Sequence, residues 1–437
     1  MQEDDLFRKV AEHRAQVHVI GLGYVGLPLV VAFAGANYPV VGIDIDTRVI
    51  ESLQACHSHV GDVSDEEISA AIQSRRVRFS ADYALLDEAD VIIICVPTPL
   101  DKTRDPDISY ILAATEGIAE HLRVGQLIVL ESTTYPGTTE EILLPNFEQT
   151  GLKVGQDFFL AFSPERIDPG NPDYKVTDIP KVVGGTTPAC LRIAERLYAS
   201  IVDEVVPVSS PRAAELTKLL ENTFRMVNIA LVNEMALMCD RLDVDVWEVI
   251  AAASTKPYGF MPFYPGPGLG GHCIPLDPHY LAWKLRTLNY NVRFIQLANE
   301  VNAAMPQHVI TRITDALNDE GKSVRDSRIL ILGVAYKPNI DDVRESPAIE
   351  IIENLESRGA RVAYHDPYVS TLQMPDGQTR SSVRLDRERL RWSDCTVIVT
   401  DHHLFDWDTI VTAAPLVVDT RNATIRTQAH GARIVKL

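Results

Sequence analysis

Short, unbroken apolar runs recur along this chain, and between them apolar positions fall at helical spacing. Val91–Val96 and Leu127–Leu130 are wholly apolar, and Val17–Ile20 and Val40–Ile45 are interrupted only by His18 and Asp44 as polar residues. Such runs predict strands buried on both faces, the mark of a parallel sheet covered by helices. Ala161–Glu165 and Lys181–Gly184 read as later strands of the same sheet. From Ala213 to Asp240 the pattern is helical and free of Gly and Pro; a second helical stretch covers Pro278–Ala304 with a break near Asn289. Between the two lies the Gly/Pro-rich segment Tyr258–Pro275, and irregular segments of this length are usually functional. After Gly321 the strand–helix alternation restarts, with Ile329–Leu332, Val362–Tyr364, Thr396–Val399 and Leu416–Val418 as strands. The pattern therefore predicts an α/β protein: two Rossmann-like, doubly wound parallel sheet domains joined by a central helical domain. The expected boundaries are 1–208, 209–305 and 306–437.

A chain of 437 residues has room for two or three cores. Its net charge of −19 speaks against nucleic acid or an anionic membrane surface as partner. The six cysteines are scattered, with no C-x-x-C pair and no His cluster at zinc spacing, so no metal site is expected and a reducing cytoplasm fits. Cys95 and Cys239 sit in apolar runs and read as buried small hydrophobes. No run reaches the roughly 20 apolar residues of a membrane span, and the charged first residues do not resemble a signal peptide.

Three local patterns carry chemistry. Gly21-Leu22-Gly23-Tyr24-Val25-Gly26 follows a strand and opens a helix, the context that gives Gly-x-Gly-x-x-Gly its meaning. Gly21 makes the turn, Gly23 admits a pyrophosphate and Gly26 lets the helix pack, while the helix N-terminus supplies unpaired N–H groups. Asp44, 23 residues after Gly21, ends the next strand where a carboxylate accepts ribose hydroxyls and repels a 2′-phosphate, so NAD is expected over NADP. Second, Lys218, Asn222 and Arg225 share one helical face. That face is either solvated or built to hold an alkoxide and a water. Third, Cys273 follows Gly266, Gly268, Gly270 and Gly271, with Asp277 four residues on. The thiol is either a buried structural cysteine or a nucleophile.

Taken together these residues resemble the UDP-glucose/GDP-mannose dehydrogenase family along nearly the whole chain. The resemblance rests on the dinucleotide turn, Val96-Pro97-Thr98-Pro99, Glu131-Ser132-Thr133 and Ser163-Pro164-Glu165-Arg166. It continues through Lys218 with Asn222, Gly270-Gly271-His272-Cys273 with Asp277, and Lys337-Pro338 followed by Asp342-Val343-Arg344-Glu345-Ser346. Thr255–Tyr264 and His272 are similar to the branch acting on UDP-N-acetylhexosamines, UDP-N-acetylglucosamine above all.

The resemblance implies four-electron oxidation of a UDP-sugar's primary alcohol to the acid, with NAD as cofactor, in polysaccharide biosynthesis. It also implies a homodimer formed through the central helix and a C-terminal UDP-binding domain. It implies Cys273 as nucleophile, with Lys218, Asn222, Asp277, Glu165 and Thr133 handling oxyanion, proton and water. NAD contacts would be Gly21, Gly23, Tyr24, Val25, Gly26, Asp44, Thr98, Thr133 and Arg344. Substrate contacts would be Arg166, Ile167, Lys218, Asn222, Arg225, Gly270, Lys337 and Arg421. Two positions depart from the family pattern. Val49 stands where a basic residue often follows the ribose acid, with Arg48 one place earlier. The loop before Cys273 has Lys256 and no arginine, so a family contact into the neighbouring subunit is not expected. UDP-glucose is the alternative substrate. A non-catalytic NAD- or nucleotide-sugar-binding homologue and a two-electron dehydrogenase in which Cys273 is incidental are the competing readings.

Overall fold

The computed structural model describes residues 2–101, 105–167, 174, 176–271 and 273–437. They form two compact units, one of residues 1–221 and 279–290, the other of residues 222–278 and 291–437.

In the first unit, eight strands form one sheet: β1 (Val17–Ile20), β2 (Val40–Ile43), β3 (Val77–Ser80), β4 (Val91–Ile94), β5 (Leu127–Leu130), β6 (Phe159–Phe162), β7 (Lys181–Gly185) and β8 (Val205–Val208). Their order is β3-β2-β1-β4-β5-β6-β7-β8, parallel throughout except for the antiparallel pair β6–β7. The continuous apolar runs have a direct cause. Val91 and Ile93, Leu127 and Val129, Phe159 and Ala161 feed one core, while Ile92 and Ile94, Ile128 and Leu130, Leu160 and Phe162 feed a second on the opposite face. Side chains alternate across a strand, so a sheet covered on both sides needs apolar residues at every position. The chain winds outward from β1 through β2 to β3 and then crosses back to β4 on the other side of β1, so the sheet's switch point lies between β1 and β4, with the dinucleotide turn at the end of β1.

His18 is the exception in β1. It is fully buried, and neither ring nitrogen has a hydrogen-bond partner among the described residues. Burial, reinforced by the charge of Arg78, lowers its pKa to about 4. An unfolded histidine titrates near 6.5, so the unfolded chain binds the extra proton first and stability falls as pH drops through this window. His18→Leu is expected to remove that acid sensitivity. Relative to the wild type it should gain roughly 3 kcal/mol more at pH 4 than at pH 7.5. Thermal unfolding of both proteins across this range checks it, and parallel stability curves would sink the idea.

In the second unit, β9 (Arg328–Leu332), β10 (Arg361–His365), β13 (Cys395–Ile398), β14 (Leu416–Asp419) and β15 (Arg433–Lys436) form a parallel sheet in the order β10-β9-β13-β14-β15. A hairpin of β11 (Thr371–Gln373) and β12 (Thr379–Ser381) stands apart from it. Ile329 and Ile331 again face one core while Leu330 and Leu332 face another.

The long helix is Pro211–Leu242, starting at a proline that needs no N–H donor in the first turn. The segment after it packs back through Val232, Ala236, Cys239, Val246, Trp247 and Ile250, so Cys239 is a core residue as its apolar neighbours predict. The second helical stretch divides into Asp277–Thr287 and Arg293–Asp319, with Asn289 in the left-handed region between them. The latter helix runs through the expected 305/306 boundary and contains Pro306. Among the described residues no helix is long and apolar enough to cross a membrane.

Candidate active site

The dinucleotide turn is shaped by steric contact. Gly21 has φ +89°, and a Cβ there would lie 2.5 Å from the Cys95 carbonyl oxygen at the end of β4. A Cβ on Gly26 would come within 1.9 Å of the Gly21 carbonyl oxygen. Gly23 differs: nothing lies within 4 Å of its missing Cβ, so its glycine leaves open space for a ligand rather than room for protein. Tyr24 and Val25 are half-buried, and the helix Gly26–Gly35 starts directly after them. Asp44 accepts hydrogen bonds from the N–H groups of Leu22 (2.8 Å) and Asp46 (2.9 Å), one on each carboxylate oxygen. Each oxygen keeps a lone pair for a ribose hydroxyl. Turn, helix N-terminus and anchored acid fit NAD. Arg48, the displaced basic residue, is exposed and pairs with Asp46 at 2.7 Å.

Thr98 lies in the loop after β4, where the Tyr280 hydroxyl donates to the Thr98 (2.9 Å) and Pro99 (3.2 Å) carbonyls. Thr133 accepts a 2.5 Å hydrogen bond from Lys218 Nζ. Lys218 is buried, which removes the solvated-face reading of this lysine. Arg166 grips Glu221 through Nε (3.2 Å) and Nη2 (2.6 Å), and its Nη1 donates to the Pro180 carbonyl. Ile167 donates its N–H to Glu165 Oε1 at 2.7 Å. Glu165 itself is buried and paired with Lys181 at 3.0 Å; the same ammonium reaches Glu131 at 2.7 Å. Burial works to raise the Glu165 pKa, but the Lys181 charge and the donors around it outweigh this and hold it below the usual carboxylate range. Burial dominates at Glu131 and pushes its pKa up.

The second unit holds the thiol. Cys273 is half-buried and its carbonyl accepts from the N–H groups of Leu276 (3.1 Å) and Asp277 (2.8 Å), so a turn carries the chain into the helix that starts at Asp277. Asn222 Nδ2 donates to Asp277 Oδ2 at 2.5 Å. Asn222 and Asp277 thus form a pair one turn from Cys273, although 55 residues separate them in sequence. Arg225, three residues on, is exposed. His272 lies outside the described residues.

The glycine loop before Cys273 is anchored from beneath. Gly266 N–H donates to Asn233 Oδ1 (2.9 Å), Asn233 Nδ2 donates to Asn302 Oδ1 (2.9 Å), and Asn302 Nδ2 reaches the Met226 carbonyl (3.3 Å). Gly270 and Gly271 lie against Tyr336, where a Cβ would meet ring or Cβ atoms at 2.5 and 2.8 Å. A Cβ on Gly266 would meet Arg421 Nη1 at 2.5 Å, and Arg421 Nε donates to the Val399 carbonyl. Arg344 pairs with Asp342 (2.6 Å) while its carbonyl accepts from Gly271 N–H (3.0 Å). Half-buried Lys337 sits in a loop organised by Asp366, which accepts from the N–H groups of Val334, Ala335, Tyr368 and Val369 and from His402 Nε2. The Asn339 N–H occupies His402 Nδ1, so the imidazole proton is on the nitrogen facing Asp366. Burial works against that carboxylate's charge, yet His402 and the N–H donors bring its pKa to about 2.

Family models match this architecture in three consecutive pieces. Residues 15–202 match the NAD binding domain of the UDP-glucose/GDP-mannose dehydrogenase family, residues 212–304 its central domain and residues 330–426 its UDP binding domain. The chain belongs to this family. It is therefore an oxidoreductase with the family's NAD-binding domain. A family relative, the UDP-N-acetyl-D-glucosamine 6-dehydrogenase of Pseudomonas aeruginosa, is 37% identical over 81% of this chain and 83% of its own. The UDP-N-acetyl-D-mannosamine dehydrogenase of Pyrococcus horikoshii is 35% identical over 93% of this chain and 95% of its own. A solved structure of UDP-D-ManNAc dehydrogenase from Pyrococcus horikoshii superposes with a TM-score of 0.87 at 33% identity, covering 96% and 98% of the two chains.

Lys181, Tyr280, Asn233 and the Asp366–His402 pair support these family motifs, and sequence reasoning assigned none of them a role. One signal was available for Lys181: a charged residue opening an otherwise apolar strand, Lys181-Val182-Val183.

Proposed function

We propose that this dehydrogenase oxidises the primary alcohol of a UDP-N-acetylhexosamine, best matched by UDP-N-acetyl-D-glucosamine, to the uronic acid by four-electron chemistry. The observation that carries the reading is the Asn222–Asp277 pair one turn from Cys273. A cysteine beside a group able to steady an oxyanion, and a carboxylate able to orient water, is what an alcohol-to-acid oxidation needs and an alcohol-to-carbonyl oxidation does not. The branch assignment draws on the Thr255–Tyr264 stretch and on relatives whose names specify N-acetylglucosamine and N-acetylmannosamine.

Bound NAD supplies the hydride acceptor, one equivalent for each of two oxidations. Glu165, acting through a water, takes the alcohol proton, with Thr133 and Lys218 orienting the oxygen. The Cys273 thiolate adds to the aldehyde, and Lys218 and Asn222 steady the oxyanion of the thiohemiacetal. Its oxidation leaves a thioester, and Asp277 directs the water that hydrolyses it, freeing acid and thiol. The sum is one alcohol, two NAD and one water giving one carboxylate, two NADH and three protons. Gly270, Lys337, Arg166, Ile167, Arg225 and Arg421 are assigned to the nucleotide sugar, and Arg344, Thr98 and the turn to NAD.

Exposed Phe224, Leu231 and Met238 recur every seven residues on the long helix, with Phe294 and Leu297 exposed at the start of another. Such a stripe supports a homodimer formed through the central helices.

Counting NADH per sugar across UDP-N-acetylglucosamine, its manno and galacto epimers and UDP-glucose tests the reading. Two equivalents are expected, with the highest kcat/KM on UDP-N-acetylglucosamine. One equivalent overturns the four-electron scheme, and a preference for UDP-glucose overturns the branch.

A further inference from the structure

The ends of β5, β6 and β7 meet in a buried charge cluster that the proposed chemistry leaves unexplained. Glu131 follows β5, Glu165 follows β6 by three residues and Lys181 opens β7. Their side chains are 0%, 6% and 5% exposed. Burying three ionisable groups costs several kcal/mol per ion before pairing offsets it, and replacing such sets with apolar residues often stabilises a fold. A purely structural cluster would be a poor use of this position.

We propose that Lys181 is a positioning residue for the oxidation: its ammonium, shared between Glu131 and Glu165, holds the Glu165 carboxylate so that one lone pair of Oε2 is left to receive the proton. The proposal rests on the assignment of Glu165 as the base.

The hydrogen bonds show how the carboxylate is set. Glu165 Oε1 accepts from the N–H groups of Arg166 and Ile167, both at 2.7 Å, which fills its lone pairs. Oε2 accepts from Lys181 Nζ at 3.0 Å and keeps its second lone pair open among the described residues. The carboxylate therefore has one direction in which it can take a proton. On the other side of the ammonium, Glu131 Oε2 accepts at 2.7 Å, and Tyr198 donates its hydroxyl to Glu131 Oε1.

The remaining groups that face Glu165 are Lys218 from the long helix, Cys95 at the end of β4 and Tyr198. Two carboxylates compete for one close ammonium. Deleting either competitor must move Glu165, and in opposite directions. With Glu131 neutral, Lys181 serves Glu165 alone and the carboxylate becomes harder to protonate. With Lys181 neutral, Glu165 keeps the burial and the repulsion of Glu131 and becomes easier to protonate.

The test measures kcat/KM against pH for wild type, Lys181→Met, Lys181→Arg and Glu131→Gln, with NAD and the preferred UDP-sugar. The acid limb is expected to move up by about one pH unit or more in Lys181→Met, to move down in Glu131→Gln, and to stay in place in Lys181→Arg. A cluster that only supports the fold would lower the rate without moving the limb, and that result overturns the proposal. A limb that moves the same way in Lys181→Met and Glu131→Gln also overturns it. Should Lys181→Met fail to fold, Lys181→Met/Glu131→Gln removes one charge of each sign, and its limb is still expected above that of the wild type. Carboxyl titration of 13C-labelled glutamate, with Glu165 assigned through Glu165→Gln, reads the same order without turnover. If the limb stays put while the Glu165 carboxyl titrates in the expected order, the assignment of Glu165 as base falls and the lysine's hold on it stands. If the carboxyl does not move, the hold itself falls.

Discussion

A Cys273→Ser variant is expected to bind NAD as the wild type does and to lose acid formation by about a thousandfold or more. A serine hydroxyl is not ionised near neutral pH, whereas a cysteine is partly thiolate and intrinsically more nucleophilic. The backbone should tolerate the exchange. The Cys273 carbonyl closes the turn onto Leu276 and Asp277, and the exchange leaves that carbonyl in place, so the helix start and the Asn222–Asp277 pair should persist. Because the defect falls after the first hydride transfer, stopped-flow absorbance should show a small, non-accumulating release of NADH, and product analysis should find no uronic acid. Acid made at the wild-type rate would end the covalent scheme and restore the reading in which this cysteine is incidental.

Two alanine substitutions in the dinucleotide turn are expected to separate folding from cofactor binding. In Gly26→Ala the new Cβ would lie 1.9 Å from the Gly21 carbonyl oxygen and 3.2 Å from Cys95 Cβ. Backbone on one side and a packed strand end on the other leave no flexible group to yield, so the helix must shift. Overpacking of this kind costs about 1–3 kcal/mol, and NAD affinity should fall with the misplaced helix N-terminus. Gly23→Ala meets nothing within 4 Å. Its unfolding temperature should match the wild type while NAD binding weakens tenfold or more, since on the proposed assignment the added methyl would take space that the pyrophosphate needs. Calorimetric titration with NAD, beside thermal unfolding, gives both readouts. Wild-type affinity in Gly23→Ala would remove pyrophosphate from that position.

What the sequence revealed, and what it hid, follows from how each feature is encoded. β4 was legible because Val91, Ile92, Ile93 and Ile94 are all apolar, which only a strand buried on both faces requires. The turn at Gly21–Gly26 was legible because backbone contacts at Gly21 and Gly26 leave only glycine as a solution. Cys273 and Asp277 were legible as neighbours because one turn of chain joins them. Lys181 was not, because its partners at 131 and 165 reach it only through the pairing of three strands, one of them antiparallel. Asn233 and Asn302 look like ordinary polar helix positions until their amides are seen facing each other, fully buried under Gly266. The helix Arg293–Asp319 outran its expected end because Met305, Val309, Ile310 and Ile313 continue its buried face past Pro306.

The crowding around the glycine loop separates positions that a directed-evolution library can vary from those it must leave alone. Gly270 and Gly271 have their missing side-chain volume already filled by Tyr336, so diversity there would be spent on misfolded clones, whereas at Gly266 the obstacle is the guanidinium end of Arg421. Phe260 and Met261, in the same segment, are exposed, while exposed Tyr258 lies under the Lys256 ammonium and exposed Tyr264 stacks on Trp247. Retuning of sugar preference should therefore draw its randomised codons from the approach to the loop and leave the loop itself invariant.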